Sequence, residues 1–466
     1  MSVDAAHQLA LRHGRSFTAL QAVGKRYRYF FAEDGAGDGC VAYVDTGWAW
    51  VVAGAPWAPT DKISALTLAF IEAARRAGRR CCFFATEAAF VHASAAGLSA
   101  FRIGELPVWN PADWPSVLKQ NARLREQLRR ARAKGVRIEA LPPNSLDDRA
   151  LRTRIDELSA RWLATRKMPA MGFLVEMPDR EEANAVGRCG FAAYRGDALV
   201  GFAWVIDVPA RSGYFIEHLV RCPSAPNGTV ELLVDAVMKW AIEQDSTWLT
   251  LGLSPLSGDV PHALRFFREN SGLLYDFEGL WRFKGKLRPT TWVPVYVSHP
   301  KGQSAILTII DVLAAFAKGG FLRFSARILG RGSSAAIAVL GVLLIPWIGL
   351  LLAAPADAWF AGHRSIKWGW IGFDVMMMAA LLLLARRPSS RLASILAAAA
   401  TLDALVTPIE ALAWNLPRMR GWFDLLIVFA GCVAPPVAAL VLFYASRRLR
   451  SLRPRPTGSR AQPARR

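Results

Sequence analysis

The chain has 466 residues, a length that suggests about three structural units rather than one ordinary domain. Its 57 Lys and Arg residues exceed its 37 Asp and Glu residues, so the formal net charge is +20, yet 53% of the residues are hydrophobic and the mean hydropathy is +0.22. A disordered basic protein would be poor in apolar residues. The combination therefore excludes that class and indicates a membrane protein with a basic water-soluble part.

The cysteines and the first residues give no sign of export. None of the six cysteines has the spacing of a metal site or a disulfide framework, so we predict no metal and expect reduced thiols. Residues 1–14 are polar and lack the apolar run of a signal peptide. We therefore expect the water-soluble part to lie in the cytoplasm.

The first half shows the pattern of a small α+β layer. Apolar residues at helical spacing, among them Leu66, Phe70 and Ala74, predict an amphipathic helix over residues 62–77. Short apolar runs predict strands at residues 27–32, 39–45, 48–53 and 81–85. Strands on both sides of a helix are typical of an α+β fold.

The second half repeats this order of elements. An amphipathic helix is predicted over residues 230–243. Strands are predicted at residues 190–194, 199–207, 212–220 and 247–253. Because both halves share one order, we predict an α+β fold made of two copies of a small layer, rather than one large sheet.

A basic segment separates the two halves and predicts a basic linking helix. Eight Lys and Arg residues fall within the 19 residues 119–137, with Glu126 as the single acid. Such a field attracts a polyanion, either tRNA or an anionic membrane surface. The alternative is a solvated helix face, although such faces usually interleave Glu with Lys. The candidate tRNA- or phosphate-binding residues are Lys119, Arg123, Arg125, Arg129, Arg130, Arg132 and Lys134.

The densest chemical signature lies in residues 213–233, where a strand ends near Arg221 and a Pro/Gly loop leads into a helix at Thr229. Asn227 or Thr229 can cap this helix. A helix start that faces a strand end offers free N–H groups and partial positive charge to an anion or an acyl oxygen. The sequence therefore predicts a ligand site at this junction.

Three motifs in this half resemble one known family when they are taken together. They are Asn227-Gly-x-x-Glu-Leu-Leu, Leu251-Gly-Leu-x-Pro-Leu-x-Gly and Phe277-x-Gly-Leu-x-x-Phe-Lys-x-Lys-Leu-x-Pro. In this order they resemble the C-terminal catalytic domain of phosphatidylglycerol lysyltransferases (aminoacyl-phosphatidylglycerol synthases). The resemblance covers about residues 10–300, with the weaker echo Gly54-Ala-Pro-Trp-Ala-Pro in the first half.

The resemblance implies a tandem GNAT-like acyltransferase fold. It also implies transfer of an amino acid from aminoacyl-tRNA to a hydroxyl of phosphatidylglycerol, with no cofactor besides that co-substrate. The glycine spacing with which GNAT enzymes hold coenzyme A is absent. The family's Asp-x-x-Arg aligns with His218-Leu-Val-Arg221, so the Arg matches and the Asp does not. Glu217 is adjacent, but it would point to the opposite face of a regular strand.

The chemistry requires positioning, a base for the attacking hydroxyl, and positive charge for phosphates. The predicted catalytic residues are Arg221, His218, Glu217, Lys284 and Lys286, with His218 or Glu217 as the base and both lysines matching the family's Lys-x-Lys. The predicted substrate-binding residues are Asn227, Gly228, Glu231, Gly252, Ser254 and Arg282. Simpler roles remain open: His218 as a packed strand residue, Glu231 as a helix-start acid, and both lysines on the surface of a final strand.

Four apolar segments are long enough to span a bilayer, at residues 334–354, 369–385, 392–413 and 422–445. Arginine is more frequent before the first segment, in the loop between the second and third segments, and after the fourth. Residues 447–466, which follow the fourth segment, carry eight Arg and no acid. The positive-inside rule then places both termini in the cytoplasm of a multi-pass bacterial inner-membrane protein. The tail is either a disordered arm on anionic headgroups or a topology anchor.

Acidic residues within these segments are costly in a bilayer. Asp374, Asp403 and Glu410 either line a polar groove or proton path, or make hydrogen bonds between helices. The predicted parts are a first GNAT-like subdomain, a basic linking helix, a second catalytic subdomain, an amphipathic juxtamembrane linker, the membrane helices and the tail. They occupy residues 1–115, 116–140, 141–300, 301–333, 334–446 and 447–466.

Three other functions remain open at this stage. The first is a GNAT-like transfer to another lipid, a cell-wall precursor or an amine. The second is a non-catalytic, membrane-tethered module that binds tRNA or lipid. The third is a transporter with a soluble appendage. The sequence names neither the amino acid nor the oligomeric state.

Overall fold

In a computed structural model of the chain, the described residues are 3–31, 39–94, 97–166, 171–270, 275–319, 333–353, 360, 363–418 and 422–451. The chain divides into two compact units, Met1–Phe324 and Ser325–Arg466.

The first half of the first unit contains the predicted helix and four predicted strands, with ends shifted by a few residues. It also contains two helices (Val3–His13 and Ala88–Ala93) and a strand (Leu98–Trp109) that the sequence analysis did not predict. In chain order they are α1 (Val3–His13), β1 (Arg28–Phe31), β2 (Cys40–Asp45), β3 (Ala49–Ala53), α2 (Ile63–Arg76), β4 (Arg80–Glu87), α3 (Ala88–Ala93) and β5 (Leu98–Trp109). Helix α2 buries the face that its spacing marks. Fully buried Phe70 contacts the rings of Tyr43 and Phe83, with centroids 5.3 and 5.8 Å away.

The basic segment forms two short helices and a strand instead of one long helix. These are α4 (Trp114–Gln120), α5 (Ala122–Ala133) and β6 (Val136–Leu141). Asn121 breaks the helix because its side chain accepts a hydrogen bond from the amide of Leu124 (3.1 Å) and so starts a new one. Gly135, with φ of 77°, turns the chain into β6. The predicted single helix over residues 116–140 is therefore wrong.

The second half continues with the repeated strands and helices. They are α6 (Arg149–Ala164), α7 (Arg180–Ala183), β7 (Arg188–Arg195), β8 (Ala198–Val208), β9 (Gly213–Arg221), α8 (Thr229–Glu243), β10 (Trp248–Thr250), β11 (Ser254–Pro255), α9 (His262–Asn270), α10 (Phe277–Lys286), β12 (Thr291–Pro300) and α11 (Ala305–Phe316). Lys284 and Lys286 thus belong to helix α10, which precedes the final strand, so the expectation of a strand there is wrong.

The sheet shows the predicted repeat. Strands β1, β2 and β3 are antiparallel, and β4 returns after α2 to lie parallel to β3. Strands β7, β8 and β9 are likewise antiparallel, and β10 returns after α8 to lie parallel to β9. A helix between two parallel strands is the connection that such a pair requires. The two copies of one topology confirm the α+β prediction.

The two copies are nevertheless joined in one sheet, which the sequence analysis did not expect. The strand order is β1-β2-β3-β4-β12-β5-β10-β9-β8-β7-β6, and β11 pairs with β5. Strand β5 of the first half pairs with β10 of the second, and β12 lies between β4 and β5. One core cluster accordingly combines Val51 and Ile103 with Ile206 and Phe215. The halves therefore fold as a single body.

The second unit consists of helices α12 (Ser333–Ala353), α13 (Arg364–Arg386), α14 (Ser390–Glu410) and α15 (Trp422–Ser451). By length and composition, three stretches of the described residues can cross a membrane: Arg364–Arg386, Ser390–Asn415 and Ile427–Arg447. The first predicted span coincides with α12, whose described apolar stretch Ala336–Leu352 is shorter. These helices make the chain a membrane protein.

Acidic residues in this unit have hydrogen-bond partners. The indole N–H of Trp370 donates to Glu410 (3.2 Å), and the hydroxyl of Thr407 donates to Asp403 (2.6 Å). The first of these bonds joins α13 to α14, as the interhelical alternative expects. The predicted disordered tail begins at residue 447, within α15, which continues to Ser451. The rest of the tail (452–466) and residues 320–332 of the predicted linker lie outside the described residues.

Asp235 connects the basic segment to helix α8. Its side chain is 1% exposed and accepts hydrogen bonds from the indole of Trp114 (3.0 Å) and from Arg132 (2.7 Å). Asp235→Ala leaves the buried Trp114 N–H without a partner, so we expect a loss of about 2–4 kcal/mol of unfolding free energy. Denaturant titration of the detergent-solubilised chain, followed by tryptophan fluorescence, measures this. Glu243→Ala, at an exposed position of the same helix, should stay within about 0.5 kcal/mol, and an equal loss in both variants would contradict the connection.

Candidate functional site

The central feature of the first unit is an opening between two parallel strands. Strands β9 and β10 pair over three residues each and stop at Phe215 and Thr250. Beyond that point β9 remains paired with β8 as far as Arg221, whereas the chain after Thr250 turns to β5, where Ser254 lies opposite Glu105. The backbone groups along this edge of β9 therefore face a gap and are available to a ligand.

A β-bulge in β9 lies at this opening. Trp204 is opposite His218 and Val205 is opposite Ile216, so Glu217 is an extra residue in the strand. A bulge changes the direction of the side chains around it. The carboxylate Oε1 of Glu217 lies 3.9 Å from Nε2 of His218. The expectation that these two side chains point to opposite faces assumed a regular strand, and the bulge makes it wrong.

Both bulge side chains are enclosed and already have partners. Glu217 forms an ion pair with Arg188, and the exposed fractions of the two side chains are 2% and 5%. Nε2 of His218 lies 3.3 Å from the backbone oxygen of Glu176. Burial lowers the pKa of His218 below its ordinary value, although the neighbouring Glu217 opposes this shift. His218 is therefore neutral at physiological pH.

Lys284 reaches the mouth of the opening from helix α10. Its side chain is buried, with 4% of the residue exposed, and its Nζ donates hydrogen bonds to the backbone oxygens of Gly252 (2.7 Å) and Leu253 (2.9 Å). Among the described residues no carboxylate pairs with this amine, and burial lowers the pKa of Lys284 to about 7. The amine is thus present in both protonation states near neutral pH.

Gly252 is required at this point of the loop. Its φ is +75°, and a Cβ at this position would lie 2.8 Å from the ring of Phe215. A residue with a side chain would therefore be strained and would also push against β9. The close approach allows the Gly252 carbonyl to face Lys284.

The second matched lysine has a different partner. Nζ of Lys286 lies 3.1 Å from the carboxylate of Glu231, which is buried in the first turn of helix α8. Two residues of helix α10 thus bind two separate elements, the loop after β10 and the start of α8. Helix α10 is therefore fixed across the opening.

The start of helix α8 has no side-chain cap. The N-cap residue is Gly228, with φ of +95°, and no side chain accepts a hydrogen bond from the first turn. Asn227 Oδ1 lies 3.5 Å from Arg221 Nη1, and Thr229 donates its hydroxyl proton to the Pro226 carbonyl (2.7 Å). The expected cap by Asn227 or Thr229 is therefore wrong, and the helix start retains its partial positive charge.

A second cationic group lies near Arg221. The pKa of Arg166 is lowered by burial and further by the positive charge of Arg221, while Tyr275 opposes both effects. The guanidinium of Arg166 also stacks 4.3 Å above the ring of Trp162. Among the described residues neither arginine has a carboxylate partner, so both guanidinium groups can offer hydrogen bonds to an anion.

Arg282 and Ser254, two of the predicted substrate-binding residues, differ from the others in exposure and in partners. Arg282 pairs with Glu278 one turn earlier on α10, with 68% of its side chain exposed, and so it is directed away from the buried Lys284. Ser254 is 1% exposed, and its hydroxyl has no hydrogen-bond partner among the described residues. Its backbone is paired with β5. Sequence reasoning missed Arg188, Glu176 and Arg166, because no local motif marks them.

All seven predicted basic residues of α4, α5 and the turn after α5 are exposed, but several are paired. Arg129 and Arg130 bind Glu126, and Arg132 binds Asp235. Arg125 donates to the backbone oxygen of Leu118 (2.6 Å). The remaining cations, which bind no other described side chain, are Lys119, Arg123 and Lys134.

The basic segment lies directly beside the site. The side chain of Asn121, at the start of α5, donates a hydrogen bond to the Lys286 carbonyl (3.0 Å). A Cβ on Gly228 would lie 2.4 Å from the backbone oxygen of Gln127, so the start of α8 packs against α5. Helices α5, α8 and α10 therefore meet at the opening. No group of three His, Cys, Asp or Glu side chains in the described part of the chain is arranged to bind a metal.

Comparison with known proteins identifies relatives of this unit. The chain is 23% identical over 323 residues to the phosphatidylglycerol lysyltransferase of Bacillus subtilis (strain 168), which covers 66% of this chain and 36% of that protein. It is 25% identical over 260 residues to the lysylphosphatidylglycerol biosynthesis bifunctional protein LysX of Mycobacterium marinum, covering 50% of this chain and 22% of that protein. The chain thus spans well under two thirds of either relative.

Two solved structures share the fold of the first unit. One is the C-terminal domain of a protein assigned as a lysylphosphatidylglycerol synthetase from Agrobacterium fabrum, with a TM-score of 0.60, 23% identity and coverage of 68% of this chain and 98% of that one. The other is L-PGS from Bacillus licheniformis, with a TM-score of 0.58, 21% identity and coverage of 68% and 96%. The expected tandem GNAT-like fold is confirmed. The family described as phosphatidylglycerol lysyltransferase, C-terminal, matches residues 7–299, well over half of the sequence, and the chain therefore belongs to that family.

Proposed function

We propose that the protein is a membrane-bound aminoacyltransferase that moves an amino acid from aminoacyl-tRNA to a hydroxyl of phosphatidylglycerol or a related lipid. The observation that carries this proposal is the buried amine of Lys284, which is held by two backbone carbonyls at the opening between β9 and β10. Membership of the family, the names of the two relatives and the apolar helices support it.

Lys284 is the proposed general base. In its neutral form the amine has two N–H groups, which the Gly252 and Leu253 carbonyls accept, and its lone pair is left for a proton. The lipid hydroxyl oxygen bonds to the ester carbonyl carbon while its proton passes to Nζ. The bond from that carbon to the tRNA ribose oxygen then breaks, and the leaving oxygen takes up the proton. The ester is already activated, so no covalent enzyme intermediate is needed.

Arg221 and Arg166 are the proposed phosphate-binding pair. Two guanidinium groups without carboxylate partners offer charge-assisted hydrogen bonds to a phosphate. The uncapped start of α8 adds N–H groups and partial positive charge beside them. The pair accepts a phosphate of either substrate. Holding that phosphate fixes the reacting groups relative to Lys284.

Glu217 and His218 are proposed as positioning residues rather than as the base. Both are enclosed, and both have partners on neighbouring segments, Arg188 and the Glu176 backbone. An ion pair buried this deeply is costly to break. It therefore keeps the bulge, and with it this edge of the opening, in one geometry.

Helices α4 and α5 are the proposed tRNA-binding surface. The exposed cations there attract a phosphate backbone, and Lys119, Arg123 and Lys134 are free of partners among the described residues. The hydrogen bond from Asn121 to the Lys286 carbonyl connects this surface to the helix that carries Lys284. A tRNA bound on α5 would therefore present its aminoacylated end near the opening.

The first unit and the C-terminus are proposed to face the cytoplasm of the bacterial inner membrane, where aminoacyl-tRNA is found. The excess of Arg around the predicted cytoplasmic ends of the helices supports this orientation. The helices hold the enzyme beside its lipid and so raise the effective concentration of the acceptor.

A second candidate is the same transfer to another acceptor, such as a different lipid, a cell-wall precursor or an amine. The observation in its favour is His218 at the position where the family has an acid. Mass profiles of lipids and cell-wall peptides from cells with and without the gene separate the two candidates.

Replacing the proposed base tests the reaction. We expect Lys284→Ala to lower the transfer rate by roughly 10²- to 10⁴-fold, because the hydroxyl proton loses its acceptor. We expect Arg221→Ala to weaken substrate binding as well. The protein is incubated with phosphatidylglycerol vesicles and with tRNA charged with a radiolabelled amino acid. The radiolabel recovered in lipid extracts is then measured. Arg282→Ala, on the exposed side of the same helix, is the matched control and should retain activity. If the unaltered protein forms no new lipid, the proposed acceptor is wrong.

Lys284 also makes stability depend on pH. Its pKa is about 7 when the chain is folded, whereas an unfolded lysine titrates at about 10.4. Between these values the unfolded chain binds more protons, so the free energy of unfolding rises as the pH rises from about 7 to about 10. In denaturant titrations the wild type should gain about 1.4 kcal/mol per pH unit relative to Lys284→Met within this window. If the unfolding free energies of the two proteins changed in parallel with pH, the Lys284 amine would be exposed to water in the folded chain.

The tRNA surface is tested by removing the three unpaired cations together. We expect the combined Lys119→Ala, Arg123→Ala and Lys134→Ala variant to bind tRNA more weakly, with the slope of log K against log salt concentration reduced by about 2 to 3. Filter binding over a range of salt concentrations measures this slope. Arg75→Ala with Arg76→Ala, on exposed α2, is the control. An equal change in both proteins would mean that only net charge matters.

A further inference from the structure

Helix α11 carries its apolar residues on the outside. Four large aliphatic side chains of this helix are exposed, namely Ile306 (71%), Leu307 (41%), Ile310 (43%) and Leu313 (55%). Positions 306, 310 and 313 lie at helical spacing and so share one face. A water-soluble domain rarely leaves a continuous apolar face in contact with solvent.

The inner side of the same helix is fixed by an ion pair and by ring packing. Asp311 is fully buried, and the guanidinium of Arg80 binds both of its carboxylate oxygens, at 2.9 and 2.6 Å. Thr308 is also fully buried. The ring of Phe316 packs against Phe84 and Phe173, with centroids 5.2 Å apart in each case. Turning the helix to bury its aliphatic face would break this ion pair, so the apolar face is held outward.

We propose that the outer face of α11 lies in the headgroup region of an anionic bilayer and holds the first unit against the membrane. Interfacial helices of this kind place an apolar stripe among the lipids and basic groups near the headgroups. The inference goes beyond the proposed reaction and does not depend on it.

The position of α11 in the chain favours a bilayer as its occupant. Only residues 320–332 separate the described end of this segment from helix α12, which begins the apolar unit. An extended chain of that length reaches roughly 45 Å at most. The face is therefore tethered within reach of the bilayer that the apolar helices require.

The charge around the helix fits an anionic surface. Exposed Lys301 precedes α11 and has no side-chain partner among the described residues. Lys318 follows the helix, and the sequence from residue 317 to 332 carries three further arginines and no acid. Basic residues beside an apolar stripe are attracted to anionic headgroups.

The helix ends beside the opening described above. The Phe316 carbonyl accepts a hydrogen bond from the amide of Gly172 (2.9 Å), and Lys318 forms an ion pair with Glu176. The backbone oxygen of Glu176 is the atom that contacts His218. A bilayer bound on α11 would therefore place lipid headgroups near the bulge of β9.

Nitroxide labels on the full-length protein test this inference. Cysteine is introduced at position 306 or 313, with Val186→Cys as the control, because Val186 is 72% exposed on the same unit and is not part of α11. Cys189 and Cys432 are first replaced by serine, since the other four native cysteines are buried. The protein is reconstituted in vesicles of equal parts phosphatidylcholine and phosphatidylglycerol. Collision rates with oxygen and with a polar nickel complex are then measured for each label.

We expect labels at 306 and 313 to collide several-fold more with oxygen than with the nickel complex, and the label at 186 to show the reverse. The preference at 306 and 313 should weaken in vesicles of phosphatidylcholine alone. Labels at 306 and 313 that behave like the one at 186 would overturn the proposal. Spin–spin broadening would reveal a face between two copies, and shielding from both reagents would reveal a covering protein segment. Either result also overturns the proposal, and a thermal midpoint equal to that of the parent shows that the labelled chains are folded.

Discussion

The structure of the site depends on the parting of two parallel strands. Strands β9 and β10 separate because each has another partner beyond Phe215 and Thr250: β9 continues along β8, and the chain after β10 joins β5. This separation leaves backbone groups without a ladder partner in the interior of a large sheet. Such groups are costly unless something binds them. In this protein the amine of Lys284 binds two of them, and the rest of the opening is available to a ligand.

The fold contains two kinds of buried charge at this opening, and they differ in physical consequence. Glu217 and Arg188 form a buried ion pair, which holds the bulge in one geometry. Among the described residues Lys284 has only carbonyl partners, and burial lowers its pKa from the ordinary 10.5 to about 7. A shift of that size corresponds to roughly 5 kcal/mol against the charged amine. A cost of this kind is typical of functional sites, where local stability is given up for reactivity.

The sequence predicts most of what is local and little of what is distant. The apolar spacing of α2 and the short apolar runs of β8 and β9 identify those elements, because their apolar residues are buried. The motifs also predict that Lys284, Lys286 and Arg221 belong to one site. They do not reveal the bulge at Glu217, the partners Arg188 and Glu176, or the pairing of β5 with β10, because each is a contact between residues far apart in the chain. The break at Asn121 had a local signal, a capping residue, that the run of basic residues obscured.

The exchange of strands between the halves makes the geometry of the second half depend on the first. Strand β12 lies between β4 and β5 of the first half, and it directly follows α10, the helix that bears Lys284. The position of the amine is therefore set by pairing with the first half as much as by the second. Strand β12 also leads into α11. This helix packs on the first half through Arg80, and just after its end Lys318 forms an ion pair with Glu176, beside the bulge. Strand β12 thus links the amine of Lys284 to the exposed apolar face of α11. A domain that lacked the first half would lose the geometry of both.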